Sequence, residues 1–219
     1  MLQTKINNCN SLIDEVQNNK DLKAGNEKVA QRNNRFFDAF NKYLLPIMAS
    51  LKATKSLTEL SFSEELSNNL NKYIEITEVA LNDKKVVNPD NYYLNLSKLY
   101  SDFKAYWENK TQTYNEPLLS EIAILRLVQS DSMEILQITK CITNIQNWPI
   151  QENAIKPYLI ARARGEELLS EMEFDDDIKA FLQKVKSRQA TLADLNEKIL
   201  NWIKAEKFES KFFLTIPIR

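Results

Sequence analysis

Between Gly165 and Asp177 the sequence reads GEELLSEMEFDDD, and seven of these thirteen residues are acidic. Glu167 and Glu171 stand four apart, so on a helix both side chains leave the same face. Carboxylates one turn apart are how an all-α enzyme holds a divalent cation, which prefers oxygen ligands. Together with Glu166 they are the candidate metal-ligating residues of the chain. The competing reading places Glu166, Glu167 and Glu171 on a solvated helix face and uses Asp175 to Asp177 to start the next helix. Negative charge there opposes the positive end of the helix dipole. Charge runs more often serve solvation than chemistry, and the second reading is preferred.

The EELL of Glu166 to Leu169 resembles the opening of the EExxE motif of MazG-like nucleotide pyrophosphohydrolases. That family is all-α and holds magnesium with EExxE and a later ExxD. The resemblance covers about a dozen residues, and it implies a magnesium-dependent nucleotide hydrolase built on Glu166, Glu167 and Glu171. This sequence departs from the pattern where the third carboxylate would stand, because Ser170 is there. Residues 178–193 also hold no acid from which a second motif could be made.

Other chemistries are closed by composition. The chain of 219 residues has no histidine, which removes Ser-His triads, Cys-His pairs and histidine-based metal sites. It has two glycines, where average usage would give roughly fifteen. A P-loop, a dinucleotide-binding turn and most hairpin-rich β folds need more than Gly25 and Gly165 can supply. Two distant cysteines, Cys9 and Cys141, make neither a disulfide framework nor a zinc site. No cofactor is expected, and the chain reads as a non-enzyme.

The charge balance is even, at 29 basic and 30 acidic residues. A grip on nucleic acid by the whole protein is therefore not expected. The distribution is less even. Residues 179–219 carry nine cations against four acids. Lys184, Lys186, Arg188, Lys204, Lys207 and Lys211 are the candidates for contacting nucleic acid or an acidic partner. The order of elements there is loosely that of a winged helix-turn-helix, but TLADL runs into NEKILNW with too little chain for a second helix and turn. Arg162 and Arg164 diverge on a helix, and Arg162 is placed to pair with Glu166 at i+4.

The elements that must position these groups are helices. Leu2, Ile6, Cys9, Ile13 and Val16 form a short heptad seam, ended by Gly25. A second helix carries Phe36, Phe40, Tyr43, Leu44 and Ile47, and Pro46 should kink or divide it. Ser61 and Glu64 read as a capping box for a third helix ending near Leu81. Asn88-Pro89 starts a fourth, whose stripe from Tyr92 to Trp107 reads as core rather than as a base-stacking platform. ENKTQTYNEP reads as a break, followed by a long central helix over roughly 116–145. Helices from Ile155, from Ile178 and from Leu192 to Ile203 complete the set. Gly165 lies inside a helical pattern, where glycine costs about 1 kcal/mol relative to alanine, so a close helix contact or a break is expected there.

The expectation is an all-α bundle of about seven to eight helices, with a short extended or β-like C-terminal segment. It forms a single helical domain over 1–219, with 82–91 and 109–116 as the places where it could divide and 178–219 as a basic subregion. The tail KFFLTIPIR is apolar enough that Phe212, Phe213, Leu214 and Ile216 are candidates for docking a partner. No signal peptide or membrane-spanning run is visible, so a cytoplasmic location is expected. The abundance of Lys, Asn and Ile suggests an AT-rich microbial genome. The function expected is a non-enzymatic accessory or adaptor subunit that takes a protein partner or self-associates. The alternative is a nucleic-acid-contacting subunit using the basic C-terminal third.

Overall fold

A computed structural model describes residues 34–83, 88–129, 132–171 and 175–209, and all regular structure among them is helical. The heptad seam, Gly25, Lys211 and the apolar tail with Phe212, Phe213, Leu214 and Ile216 lie outside the described residues. The expected extended C-terminal element falls there, and no strand is present among the described residues. Helix over 34–39 runs through a π-helical turn at Phe40–Leu44 into α1 (Leu45–Ala53). Then come α2 (Glu64–Asp83), α3 (Pro89–Val128), α4 (Met133–Asn144), α5 (Glu152–Glu171), α6 (Asp176–Lys186) and α7 (Glu197–Ala205). The chain divides into two compact units, one of residues 1–114 and 145–155, the other of 115–144 and 156–219.

Pro46 does not divide its helix. It has no N–H for the carbonyl of Lys42, and its ring crowds that carbonyl. The turn just before it widens instead, and the amide of Leu45 bonds back to Phe40 O, five residues away. Helix α2 starts two residues later than the predicted capping box. Ser63 rather than Ser61 accepts from the Leu66 amide, at 3.3 Å. Asn88 caps α3 as the sequence predicts, its Oδ1 accepting from the amides of Asp90 and Asn91 at 3.1 and 3.3 Å, with Pro89 at the first helical position.

The largest departure from the expected helix bounds is at 109–116. These residues do not break the chain but continue α3, which ends at Val128. Thr111 and Asn115 are fully buried, one helical turn apart and in line with buried Trp107. Their oxygens are bonded inside: the Thr111 hydroxyl donates to Trp107 O at 2.7 Å, and Asn115 Oδ1 accepts from Tyr158 and Arg162, while Asn115 Nδ2 is buried without a partner among the described residues. Pro117 and Thr113, whose carbonyl the proline leaves without an amide donor, are both exposed residues. The break expected near 145 is present, since α4 ends at Asn144 and α5 starts at Glu152, but a further break after Val128 divides the expected 116–145 helix, and Ser132 caps α4 through the Ile135 amide at 3.3 Å.

The first unit is organised around aromatics. Phe36, Phe40, Tyr92, Phe103 and Trp107 are buried, and Phe36 stacks on Tyr92 with centroids 4.6 Å apart. Phe62 stacks on Trp107 at 5.5 Å, and Trp148 stacks on Phe103 at 6.2 Å. Side chains of this size contribute most of the burial energy, about 1.5–3 kcal/mol each. The Trp107 indole donates to Ile145 O at 2.7 Å, so its one polar group is not stranded.

In the second unit, Ile124, Val128, Ile178, Phe181, Leu182, Ile199 and Ile203 form one buried cluster. Helix α5 runs unbroken through Gly165, and the reason for the glycine is contact. A β-carbon there would lie 3.0 Å from Ile122 Cδ1 on α3 and 3.4 Å from Ile138 Cγ2 on α4. Helices α6 and α7 end in left-handed residues without glycine, Arg188 at φ 58° and Lys207 at φ 55°. Each closes a Schellman-type cap: Gln189 N reaches Lys184 O at 2.8 Å, and Phe208 N reaches Ile203 O at 2.9 Å.

Candidate functional site

Helix α5 presents the acidic run to solvent, and arginines of the same helix take it up. Glu166 pairs with Arg162 at 3.2 Å, the i+4 pairing expected from spacing. Glu167 and Glu171 both take the Arg164 Nη1, at 2.6 and 3.2 Å. Arg164 Nε also reaches Glu134 on α4 at 2.7 Å. Glu134 first, and Glu167 next, raise the Arg164 guanidinium above its already high range. The two arginines diverge: Arg162 turns inward to Asn115 at 2.9 Å, while Arg164 stays at the surface. Among the described residues no group of three or more His, Cys, Asp or Glu is placed to hold a metal ion.

The basic C-terminal third is tied to nearby acceptors of its own unit. Lys179 pairs with Glu121 at 3.0 Å. Lys184 pairs with Asp194, and Lys186 donates to the Ser120 hydroxyl at 2.7 Å. Lys198 bridges Asp175 at 2.6 Å and Asp177 at 2.9 Å, so the acidic shoulder and the basic segment meet directly. Asp175 is also the N-cap of α6, accepting from the Asp177 amide at 3.0 Å. Lys198, then that amide, lower the Asp175 carboxyl below its ordinary value. Asp194 falls to about 2, held by Lys184 first and then by the amide and hydroxyl of Thr191. Thr191 and Asp194 form a capping box around the single 3-10 turn at Leu192–Asp194, so no second helix of a helix-turn-helix stands there. Arg188 and Lys207 occupy the two left-handed caps, and Lys204 lies in the last turn of α7.

One site was not anticipated from the sequence. The π turn carries Asn41, Lys42 and Tyr43, and a shallow cleft of about 380 Å³ is lined by Asp38, Asn41, Lys42 and, from α3, Tyr93. The Tyr43 and Tyr93 hydroxyls are 3.0 Å apart, and Lys42 Nζ donates to Tyr93 at 3.3 Å. The ammonium also stands over both rings, 5.2 Å from the centroid of Tyr43 and 5.9 Å from that of Tyr93. Hydrogen bonding with Ser97 first, and with Tyr93 next, lowers the Tyr43 phenol below its usual range. The bonds to Tyr93 and then Tyr43 raise the Lys42 ammonium. Arg35, beside the Tyr93 ring, is neutralised by Asp90 at 2.7 Å. The signal in the sequence was Lys42 between aromatic positions and four residues before Pro46, where the proline withholds a hydrogen bond from the lysine's own carbonyl.

No family model matches the chain, and no curated protein or solved structure matches it. No described helix is long and apolar enough to cross a membrane.

Proposed function

We propose that the chain is a non-enzymatic helical interaction protein, an accessory or adaptor subunit of a larger microbial cytoplasmic complex. The observation supporting this is the outward face of α5. Tyr158, Ala161 and Gly165 turn inward, while Leu159 and Ile160 are 44% and 58% exposed beside exposed Ala163. Residues 159, 160 and 163 are neighbours on a helix surface, so their apolar area is continuous. Leu159 and Ile160 are already about half covered, so covering what remains with a partner would contribute about 1 kcal/mol each before the costs of association.

The alternative, nucleic-acid contact by the basic third, asks Lys184 and Lys186 to exchange Asp194 and Ser120 for phosphates. The interaction reading needs no such exchange. Its test compares wild type with the double variant Leu159→Ser, Ile160→Ser, by light scattering for self-association and by cross-linked capture for partners. The expected result is a stoichiometric partner, or a dimer, that the variant loses while its circular dichroism is unchanged. A monomeric wild type whose captured proteins are the same as the variant's would refute the reading.

A further inference from the structure

Three features coincide at the π turn. Such turns are rare, occur mostly as single widened turns, and are frequent at functional sites. Pro46 accounts for the change of register, but not for what the register brings out. The residues it presents, Asn41 and Lys42, line the cleft together with Asp38 and Tyr93. Lys42 has hydroxyls as its hydrogen-bond partners, and among the described residues it makes no ion pair with a carboxylate. Arg35 next to it does have one, in Asp90.

An ammonium held by neutral phenols keeps its full charge available to a ligand. Asn41 can add amide N–H donors, and the Tyr93 hydroxyl can turn to donate as well. The complement of such a set is a small anionic group with two acceptor oxygens. Asp38 in the same cleft limits its charge, because a phosphate dianion would meet a like charge where a singly charged group meets less of one. The geometry points to a carboxylate-binding site, with Lys42 as the charge partner and Asn41 and Tyr93 as the hydrogen-bonding groups. The carboxylate comes either from a free organic acid or from an acidic side chain of a protein. The inference goes beyond the interaction reading, since it uses residues of the other unit and holds for either source.

The test is an NMR titration of the full chain, labelled at lysine and tyrosine, at low salt and near neutral pH. The probes are glutarate, a capped tetraglutamate peptide and inorganic phosphate, applied to wild type and to Lys42→Met. Lys42 is exposed, so the variant should keep its fold, which circular dichroism checks. The expected result is saturable shifts at Lys42 and Tyr93 with glutarate or the peptide, and weaker binding of phosphate. Lys42→Met should weaken carboxylate binding about 10-fold or more, the loss of one charged hydrogen bond. Tighter binding of the peptide than of glutarate identifies a protein side chain as the source, and the reverse identifies a free acid. Absence of saturation in wild type, tighter binding of phosphate than of either carboxylate, or equal affinity in Lys42→Met would overturn the site.

Discussion

Replacing Gly165 by alanine sets two effects of similar size against each other. Alanine in a helix interior is favoured over glycine by about 1 kcal/mol. The added methyl, however, would lie 3.0 Å from Ile122 Cδ1 and 3.4 Å from Ile138 Cγ2, both in buried side chains. Overpacking of a closed core costs about 1–3 kcal/mol. Ile122 Cδ1 is a chain end and can yield, whereas Ile138 Cγ2 sits on a branched β-carbon and can yield less. Gly165→Ala should therefore be destabilising by up to about 1–2 kcal/mol, with the propensity gain hidden beneath the clash. Ile122→Val removes the methyl group that the new atom meets, and alone should cost about 0.5–1.5 kcal/mol. In that background Gly165→Ala should become neutral or stabilising. The measurement is a double-mutant cycle by urea denaturation, followed by circular dichroism with the slopes compared. A coupling of about 1 kcal/mol or more is expected, since the residues touch. If Gly165→Ala stabilises the wild-type protein by its full helix propensity, or if the two changes add to within about 0.5 kcal/mol, the close contact is not what the glycine is for.

The left-handed caps make the opposite forecast: Arg188→Gly and Lys207→Gly should each stabilise by about 0.5–1 kcal/mol in thermal or urea unfolding, because glycine adopts positive φ without the β-carbon penalty. Asn115→Ala should cost about 2–3 kcal/mol by denaturant unfolding, because the buried acceptor for Tyr158 and Arg162 is lost. Asp194 should titrate near 2 by carbon-detected NMR, and Lys184→Met should move it back toward ordinary carboxyl values. Its folded value lies below the unfolded one, so its contribution to stability is present above about pH 4 and is lost as pH falls toward 2. Acid unfolding of Lys184→Met should consequently be less steep across that window.

Much of the architecture could be read before the coordinates, and each failure has a physical cause. The scarcity of glycine pointed to helices, and Asn88-Pro89, Asp175 and the Arg162–Glu166 pair stand where spacing put them. The region 109–116 misled because apolar periodicity is blind to a buried polar stripe. Thr111 and Asn115 continue the inward face of Trp107 but bond within the core, so they look like a loop in composition alone. The cleft at Lys42 escaped for a related reason. Tyr43 and Tyr93 read as core aromatics, and only a change of helical register, which no sequence period announces, sets Lys42 against their hydroxyls. Gly165 was the reverse case: a residue rare in this chain had to be there for a reason, and the reason was the closeness of Ile122.

The distribution of indoles has an optical consequence. Trp107 is fully buried against Phe62, and Trp148 packs on Phe103, both within the first unit. Trp202 belongs to the second unit and meets Phe208 edge-on at 5.5 Å. Emission from Trp202→Phe therefore reports on the first unit alone, and emission from Trp107→Phe, Trp148→Phe on the second. A difference in their unfolding midpoints would reveal whether the long helices α3 and α5, each shared between both units, melt as one cooperative rod or let one half fray while the other holds.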